Sequence, residues 1–467
     1  MESKKKRSSF SGQIGFVLAA AGSAVGLGNV WRFPYLAAKD GGGLFLLVYV
    51  ILVLTFGFTL LTSDLAIGRK TKLSSIYAYD NIKHGWKFLG ILTFIVPALI
   101  MTYYAVIGGW IVKYFTAYVV NDMNAAAKDD YFGSFITSKV SPIVFMLVFM
   151  ALTSWIVYSG VEKGIERISK IAMPIIFFLV IGIAIFALTL NFKDADGTVR
   201  TGIEGLKIYC VPNFKGLTVK KFLITVLDAM GQLFFSLSVS MGIMITYGSY
   251  VKDEVDLGKS ITQIEVFDTL VAFLAGMMII PAVYTFMGKD GMAQGPSLIF
   301  VSLPKVFKAM GPIAGRIVGI VFFLMVGFAA LTSCISVLET LVANCMELFK
   351  ASRKKVALIL SIIYTVASII ICLGYNVFYF EIKLPNDSVG QLLDIMDYIS
   401  NYLLMPIITL LSAILIGWVV GPKTITDEVT KNNEKFSRKP IYVFMVKFVI
   451  EVVMVILILQ AFGLLKF

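Results

Sequence analysis

Eleven long apolar runs set the terms for what this chain can fold into. They occupy residues 11–37, 41–67, 88–118, 141–158, 168–190, 219–248, 260–286, 313–347, 355–374, 391–420 and 441–463. A bilayer is crossed by a helix of about 20 apolar residues. In hydrocarbon every backbone polar group must be satisfied within the protein, so runs of this length read as helices. Only 15% of the 467 residues are charged, against roughly a quarter in soluble domains. The reading is an all-α polytopic membrane protein, a single transmembrane domain over 1–467 with the lipid bilayer as its solvent. A net charge of +12 fits nucleic acid only where a basic domain carries it. Here the cations lie in short connectors, as the positive-inside rule places them, so no nucleic-acid partner is expected.

Lys4, Lys5, Lys6 and Arg7 put the N-terminus in the cytoplasm. Arg69-Lys70, Lys163/Arg167/Lys170, Arg353-Lys354-Lys355 and Arg438-Lys439 then fall on the same side, although Lys220 and Lys221 lie opposite. Eleven crossings leave the C-terminus outside a cell inner (plasma) membrane. The basic opening is followed by a run too long and too glycine-rich for a cleaved signal. Cys210, Cys334, Cys345 and Cys372 form no disulfide framework. His84, the single histidine, sits in a polar connector, and no zinc or haem ligand set exists. With no nucleophile–base pair either, the chain does not read as an enzyme.

The run that breaks the pattern is the first. Gly22-Ser23-Ala24-Val25-Gly26-Leu27-Gly28-Asn29 falls at its centre, where each interior glycine costs a helix about 1 kcal/mol relative to alanine. Opened backbone at that depth survives only if it lines a cavity or meets an ion. The sixth run repeats the oddity in Gly231-Gln232-Leu233-Phe234-Phe235-Ser236-Leu237-Ser238-Val239-Ser240-Met241-Gly242. Two interrupted helices five spans apart point to inverted repeats with a site at their interface. The expected fold is a 5+5 inverted-repeat transporter with helices 1 and 6 broken. Its repeats cover about 11–190 and 219–420, and a peripheral helix covers 441–463. Because five is odd, the second repeat enters from the opposite side, as alternating access requires.

These stretches, with Val30-Trp31-Arg32-Phe33-Pro34-Tyr35, Gly41-Gly42-Gly43 and Leu331-Thr332-Ser333, closely resemble the motifs of the neurotransmitter:sodium symporter family. The resemblance, to amino-acid-carrying bacterial members, covers essentially the whole chain. It implies sodium-coupled symport of an amino acid by alternating access. A hard cation needs several oxygens. Ala329, Thr332 and Ser333 stand at i, i+3 and i+4, on one helical face. With the carbonyls of Gly22 and Val25, the resemblance makes them the second sodium site. The alternative is that both hydroxyls bond back to their own helix.

The first sodium site would comprise Ala24, Asn29, Ser236 and Asp268, completed by the substrate carboxylate. Animal members usually carry Asn at the position of Asp268 and bind chloride nearby. A carboxylate there, beside Tyr49 and Gln232, would supply that negative charge itself, so the resemblance implies two sodium sites and no chloride. An intramembrane Asp costs about 2.5–3.5 kcal/mol to insert; the alternative is a solvated Asp268 near a helix end.

Monoamine-carrying relatives have Asp where this chain has Gly26. The residue thus leaves a space open for a substrate that brings its own carboxylate. The amides of Leu27 and Gly28, at a half-helix N-terminus, and the Tyr104 hydroxyl would receive it. Ser23, Ala24, Gly26, Ile100, Phe235, Ser236, Ser238, Met241, Ser333 and Val337 complete the expected substrate site. The side-chain pocket contains no acid or base, so a neutral and largely hydrophobic amino acid is favoured. Met241 replaces a Phe of the best-known bacterial relative; its flexible thioether makes a wall that adapts to aromatic substrates. Taken singly, the apolar residues read equally well as helix packing.

The gates implied by the resemblance are Arg32 with Asp397 outside, and Arg7 with Glu347 inside, supported by Phe10 and Tyr250. Exposed ion pairs contribute only about 0–1 kcal/mol, which suits a latch that opens every cycle. Phe10 stands for the usual Trp. Asp64 stands for the usual Glu, with a shorter reach to the broken backbone. Glu339 stands for the usual Gln, with no assigned role. A twelfth run is lacking, so the oligomeric state is left open. An amino-acid-sensing receptor on the same fold would keep the same binding residues; long cytoplasmic signalling domains would mark it. A channel would need a continuous hydrophilic pore instead of polar groups converging on one depth.

Overall fold

The computed structural model describes residues 8–193, 197–214, 216–291, 298–385 and 388–465. All eleven apolar runs are helical. The first is split into α1 (Gln13–Ala24) and α2 (Gly28–Lys39), bent by 51°. Next come α3 (Gly43–Thr71), the short α4 (Ser75–Ile82), α5 (Lys87–Val119), α6 (Ser141–Ser159) and α7 (Val161–Leu188). The sixth run is split into α8 (Val219–Leu237) and α9 (Ile243–Tyr250). Then follow α10 (Leu257–Gly288), α11 (Pro312–Phe349), α12 (Arg353–Leu373), α13 (Leu392–Val419) and α14 (Lys439–Ala461). Among the described residues nine helices are long and apolar enough to cross a membrane, and the bent α1–α2 pair makes ten. The α8–α9 pair is not among them, because α8 carries Lys220, Lys221 and Asp228. Small antiparallel hairpins, Asn191–Lys193 with Val199–Thr201 and Ile382–Lys383 with Val389–Gly390, lie in connectors.

Both breaks fall where the glycines place them. At the first, Val25 leaves the helical region with φ −72° and ψ 92°. At the second, Ser238 (φ 52°), Ser240 (φ 61°) and Gly242 (φ 76°) are left-handed. Non-glycine residues in that region cost of order 1–3 kcal/mol each and persist only where their surroundings over-determine them. Here Asp64 of α3 does so: its Oδ2 accepts the Ser240 N–H at 2.9 Å. Thr409 of α13 donates from Oγ1 to Ser240 Oγ at 2.7 Å. The shorter reach expected of Asp64 is thus sufficient to hold the broken backbone.

The basic connectors are more than solvated positive charge. Arg69, wholly buried, pairs through Nε with Glu428 Oε1 at 2.7 Å and donates from Nη1 to the Val255 carbonyl. Arg438 reaches Glu265 of α10 at 2.8 Å and lies 3.5 Å over the Phe58 ring. Arg353 pairs with Glu339. These arginines therefore clamp helix ends together; His84, by contrast, is a solvated loop residue, as expected. The four cysteines are unpaired.

Candidate functional site

The two breaks meet. Ser238 donates from Oγ to the Ser23 carbonyl at 3.0 Å, and Ser333 of α11 donates to the same oxygen at 3.0 Å. Ser23 Oγ lies 3.2 Å from Ser238 Oγ. Beside them Asn29 turns back on its own break, its Oδ1 accepting the Gly26 N–H at 3.1 Å. Its Nδ2 reaches α10, donating to Asp268 Oδ1 at 2.7 Å and to the Asp268 carbonyl at 3.2 Å. Ser236 donates to the Asp268 carboxylate at 2.9 Å. Gln232 Nε2 donates to the Gly28 carbonyl at 3.0 Å.

Asp268 is wholly buried, which excludes the solvated reading. Among the described residues no Lys, Arg or His pairs with it; Asn29 and Ser236 are neutral donors. A buried carboxylate without a cation is costly, so this donor set fits a small hard cation, with Ala24 buried in the break alongside. Among the described residues the buried Tyr49 hydroxyl and Gln232 Oε1 have no hydrogen-bond partner.

The second proposed cation set is arranged differently. A Cβ on Gly22 would stand 3.4 Å from Thr332 Cβ, so that part of the first break packs directly on α11. The Thr332 hydroxyl lies 3.1 Å from both the Phe328 and the Ala329 carbonyls, bonding back to its own helix, while Ser333 reaches across to α1. Val25 and Ala329 are wholly buried.

Gly26 departs from expectation. A Cβ there would meet Ser333 Oγ at 2.5 Å and Tyr104 Oη at 3.3 Å. The space beside it is occupied by these two side chains and not open. A Cβ on Gly28 would fall 2.5 Å from the Phe235 ring. Leu27, Ile100, Tyr104, Met241 and Val337 are all buried. Phe235 is half-buried and, with Arg32, Asp228, Asn401 and Tyr402, lines a cavity of about 130 Å³.

The outer gate is corrected more substantially. Arg32 lies over the Tyr402 ring at 5.7 Å and forms no ion pair with Asp397. Asp397 instead accepts from the Tyr103 hydroxyl at 2.9 Å and from Asn401 Nδ2 at 2.6 Å. Two neutral donors from the neighbouring turn and from α5 thus satisfy the carboxylate. On the other face Arg7 lies outside the described residues. Glu347 caps the start of α4, accepting the Ser74 N–H at 3.0 Å and the Ser74 hydroxyl at 2.9 Å. Phe10 is buried edge-on against Tyr247 and Tyr250, and its N–H donates to the Tyr250 carbonyl at 3.2 Å.

Two groups escaped the sequence reading. Glu339, fully buried, accepts from the Tyr250 hydroxyl at 2.7 Å and from Arg353. Glu166 of α7 accepts the Ser11 N–H at 2.9 Å and pairs with Lys170 at 2.6 Å. For Glu339 the available signal was an acid inside a spanning run, which needs a partner; Glu166 lies in the connector that carries Lys163, Arg167 and Lys170, where an acid is unremarkable.

The family profile of the sodium:neurotransmitter symporters matches residues 7–132 and 135–466. The chain belongs to that family. It is accordingly a sodium-dependent symporter, a multi-pass membrane transporter and not an enzyme. It is 33% identical over 472 residues to the sodium-dependent transporter YhdH of Bacillus subtilis, with all of both chains covered. A sodium-dependent transporter of Haemophilus influenzae is 31% identical, with 98% of each chain covered. Among solved structures, MhsT in complex with L-phenylalanine matches with a TM-score of 0.84 at 33% identity. The match covers 98% of this chain and all of that one. The transporter therefore shares the broken-helix fold with that neighbour.

Proposed function

We propose that the transporter couples sodium entry to uptake of a neutral, hydrophobic or aromatic amino acid, without chloride, by alternating access. The observation that carries this reading is Asp268, fully buried between the two breaks and held by neutral donors alone. Sodium would bind there with Ala24, Asn29 and Ser236, and a second ion with Gly22, Val25, Ala329, Thr332 and Ser333. Thr332 and Ser333 would turn from their helix and from Ser23 towards that ion. The permanent carboxylate of Asp268 supplies the charge that chloride would otherwise bring, which supports chloride independence.

The substrate carboxylate would take the amides of Leu27 and Gly28 with the Tyr104 hydroxyl, where Ser333 would give way. The amine would meet carbonyls near Phe235 and the Ser333 hydroxyl, with Ser23, Ala24, Ser236 and Ser238 alongside. Ile100, Met241 and Val337 supply an apolar wall, and a related protein holds L-phenylalanine. Two sodium ions would provide roughly 7 kcal/mol at ~100 mV and a tenfold gradient. The basic residues on the side of Arg69, Arg353 and Arg438 support a cytoplasmic N-terminus. The repeats would span about 11–190 and 219–420, with α14 peripheral. Uptake of labelled amino acids into proteoliposomes, with and without an inward sodium gradient, tests the reading. Sodium-driven accumulation of Phe, Tyr or Trp is expected; accumulation of no amino acid overturns it.

A further inference from the structure

Carboxylates deep inside the spanning helices are hidden from lipid, with one exception. Asp64, Glu265, Asp268 and Glu339 are all buried. Glu451, near the middle of α14, is only half-buried. It borders the outward stripe of that helix, where Phe444, Phe448, Val452 and Val455 are exposed. Trp418, itself exposed near the end of α13, donates from Nε1 to Glu451 Oε1 at 2.6 Å. One turn before Glu451, the Lys447 ammonium lies 5.1 Å from the centre of the same indole ring. The indole thus keeps the acid and the base together on the lipid side of the α13–α14 contact. Among the described residues neither charge has an ion-pair partner.

Depth separates the two charges. A Cβ on Gly417 would stand 3.0 Å from the Val446 carbonyl and 3.4 Å from Lys447 Cα, and α13 ends at Val419. Lys447 therefore lies within one turn of that end, and its long side chain can reach the headgroups. Glu451 lies a further turn inward, about 6 Å, with a side chain too short to do the same. A charge facing lipid at that depth is costly and rare, and calls for a named partner.

We propose that the α13–α14 face is the interface of a homodimer, in which Lys447 of each protomer pairs with Glu451 of its partner. A twofold axis along the membrane normal sets two α14 helices side by side and parallel, so both reciprocal pairs form at once. Phe444, Phe448, Val452 and Val455 make the apolar seam. Lys447 and Glu451 flank it, as charges flank the seam of a parallel coiled coil. The lysine side chain spans the one-turn offset. Lipid headgroups match the pattern less well. An anionic phosphate neutralises Lys447 and leaves Glu451 bare. An ethanolamine headgroup carries its ammonium outside its phosphate, whereas here the acid is the deeper group. A second copy of the chain presents acid and base at the same two depths and satisfies both.

Energy transfer between donor- and acceptor-labelled copies of the full-length protein tests this, measured in vesicles over a range of lipid dilutions. Vesicles of phosphatidylcholine alone and with phosphatidylglycerol are compared, and the wild type should dimerise equally in both. Glu451→Gln and Lys447→Gln should each raise the dissociation constant about 30-fold, as expected when one member of a buried charge pair is lost. The exchange of Lys447→Glu together with Glu451→Lys should restore wild-type dimerisation. Monodisperse elution in detergent checks that each variant is folded. Phe448→Cys should give a disulfide-linked dimer on oxidation, and the wild type, with its four native cysteines, should not. A wild type that stays monomeric at every dilution overturns the proposal. So does a Glu451→Gln protein that dimerises like the wild type, or an exchange that restores nothing. Association confined to phosphatidylglycerol and sensitive to Lys447 alone would also overturn it, and would assign the patch to an anionic lipid.

Discussion

Asn29 reaches from the first break to Asp268 of α10 with a hydrogen bond of 2.7 Å, while the same amide accepts the Gly26 N–H. One side chain therefore sets the shape of the broken backbone and the position of the buried carboxylate beside it. A cation bound to Asp268 and the conformation of residues 24–29 are mechanically one unit.

Replacing Asp268 should separate charge from geometry. Asp268→Asn keeps an acceptor for Ser236 and removes the charge. Truncating one member of a buried charge interaction costs about 2 kcal/mol or more, so half-saturation by sodium should rise about 30-fold. Wild-type uptake should be equal in sodium chloride and sodium gluconate. A variant with unchanged sodium dependence, measured by uptake titration in proteoliposomes, would count against Asp268 as a sodium ligand.

A side chain at Gly26 is crowded in this arrangement, because Ser333 Oγ would stand 2.5 Å from a Cβ and has to turn away. Gly26→Ala should lower uptake by about tenfold or more, in line with the cost of overpacking, typically 1–3 kcal/mol. Gly26→Asp should abolish it. Adding Ser333→Gly to Gly26→Ala should restore space but not sodium coupling. Uptake by a folded Gly26→Asp protein at the wild-type rate would contradict the crowding argument.

Both breaks, the eleven helices and the residues at the crossing were legible in the sequence. Their signal is local: glycines and serines where a spanning helix otherwise takes leucine. Partners separated by whole helices were not. Arg32 and Asp397 carry opposite charges on opposite walls, yet Tyr103 and Asn401 reach the carboxylate first and Tyr402 takes the guanidinium. Glu339 looked like an unexplained charge because its partners, Tyr250 and Arg353, approach from two other helices. The room beside Gly26 was misjudged for the same reason. Absence of a side chain is visible in a sequence, but the neighbour that fills its place is not.

At the far end of α2, Lys39 Nζ lies 2.7 Å from Asp228 Oδ2, tying the two half-helices α2 and α8 together. Burial, with the Asp228 charge close by, pushes the adjacent Asp40 carboxyl up to about 7. Its folded value lies above its unfolded one, so the folded state binds the proton more tightly. The stability it contributes is complete below about pH 4 and is lost as pH rises through 7. Melting in detergent should therefore show a decline between pH 5 and 8 that Asp40→Asn flattens. An identical pH slope in the variant would exclude Asp40 as its source.

Asp64 offers the cleanest test of what holds the second break. It receives the N–H of Ser240, a non-glycine residue at φ 61°, and strain of that kind is kept only by surrounding contacts. Asp64→Ala leaves a buried N–H without an acceptor, which costs about 1–3 kcal/mol, and frees the segment that carries Met241. Asp64→Asn keeps an acceptor of the same length. The alanine variant should melt at a lower temperature and lose uptake more steeply than expression, while the asparagine variant stays close to the wild type. Equal losses in both would mean that the charge of Asp64, and not its hold on Ser240, is what the break requires.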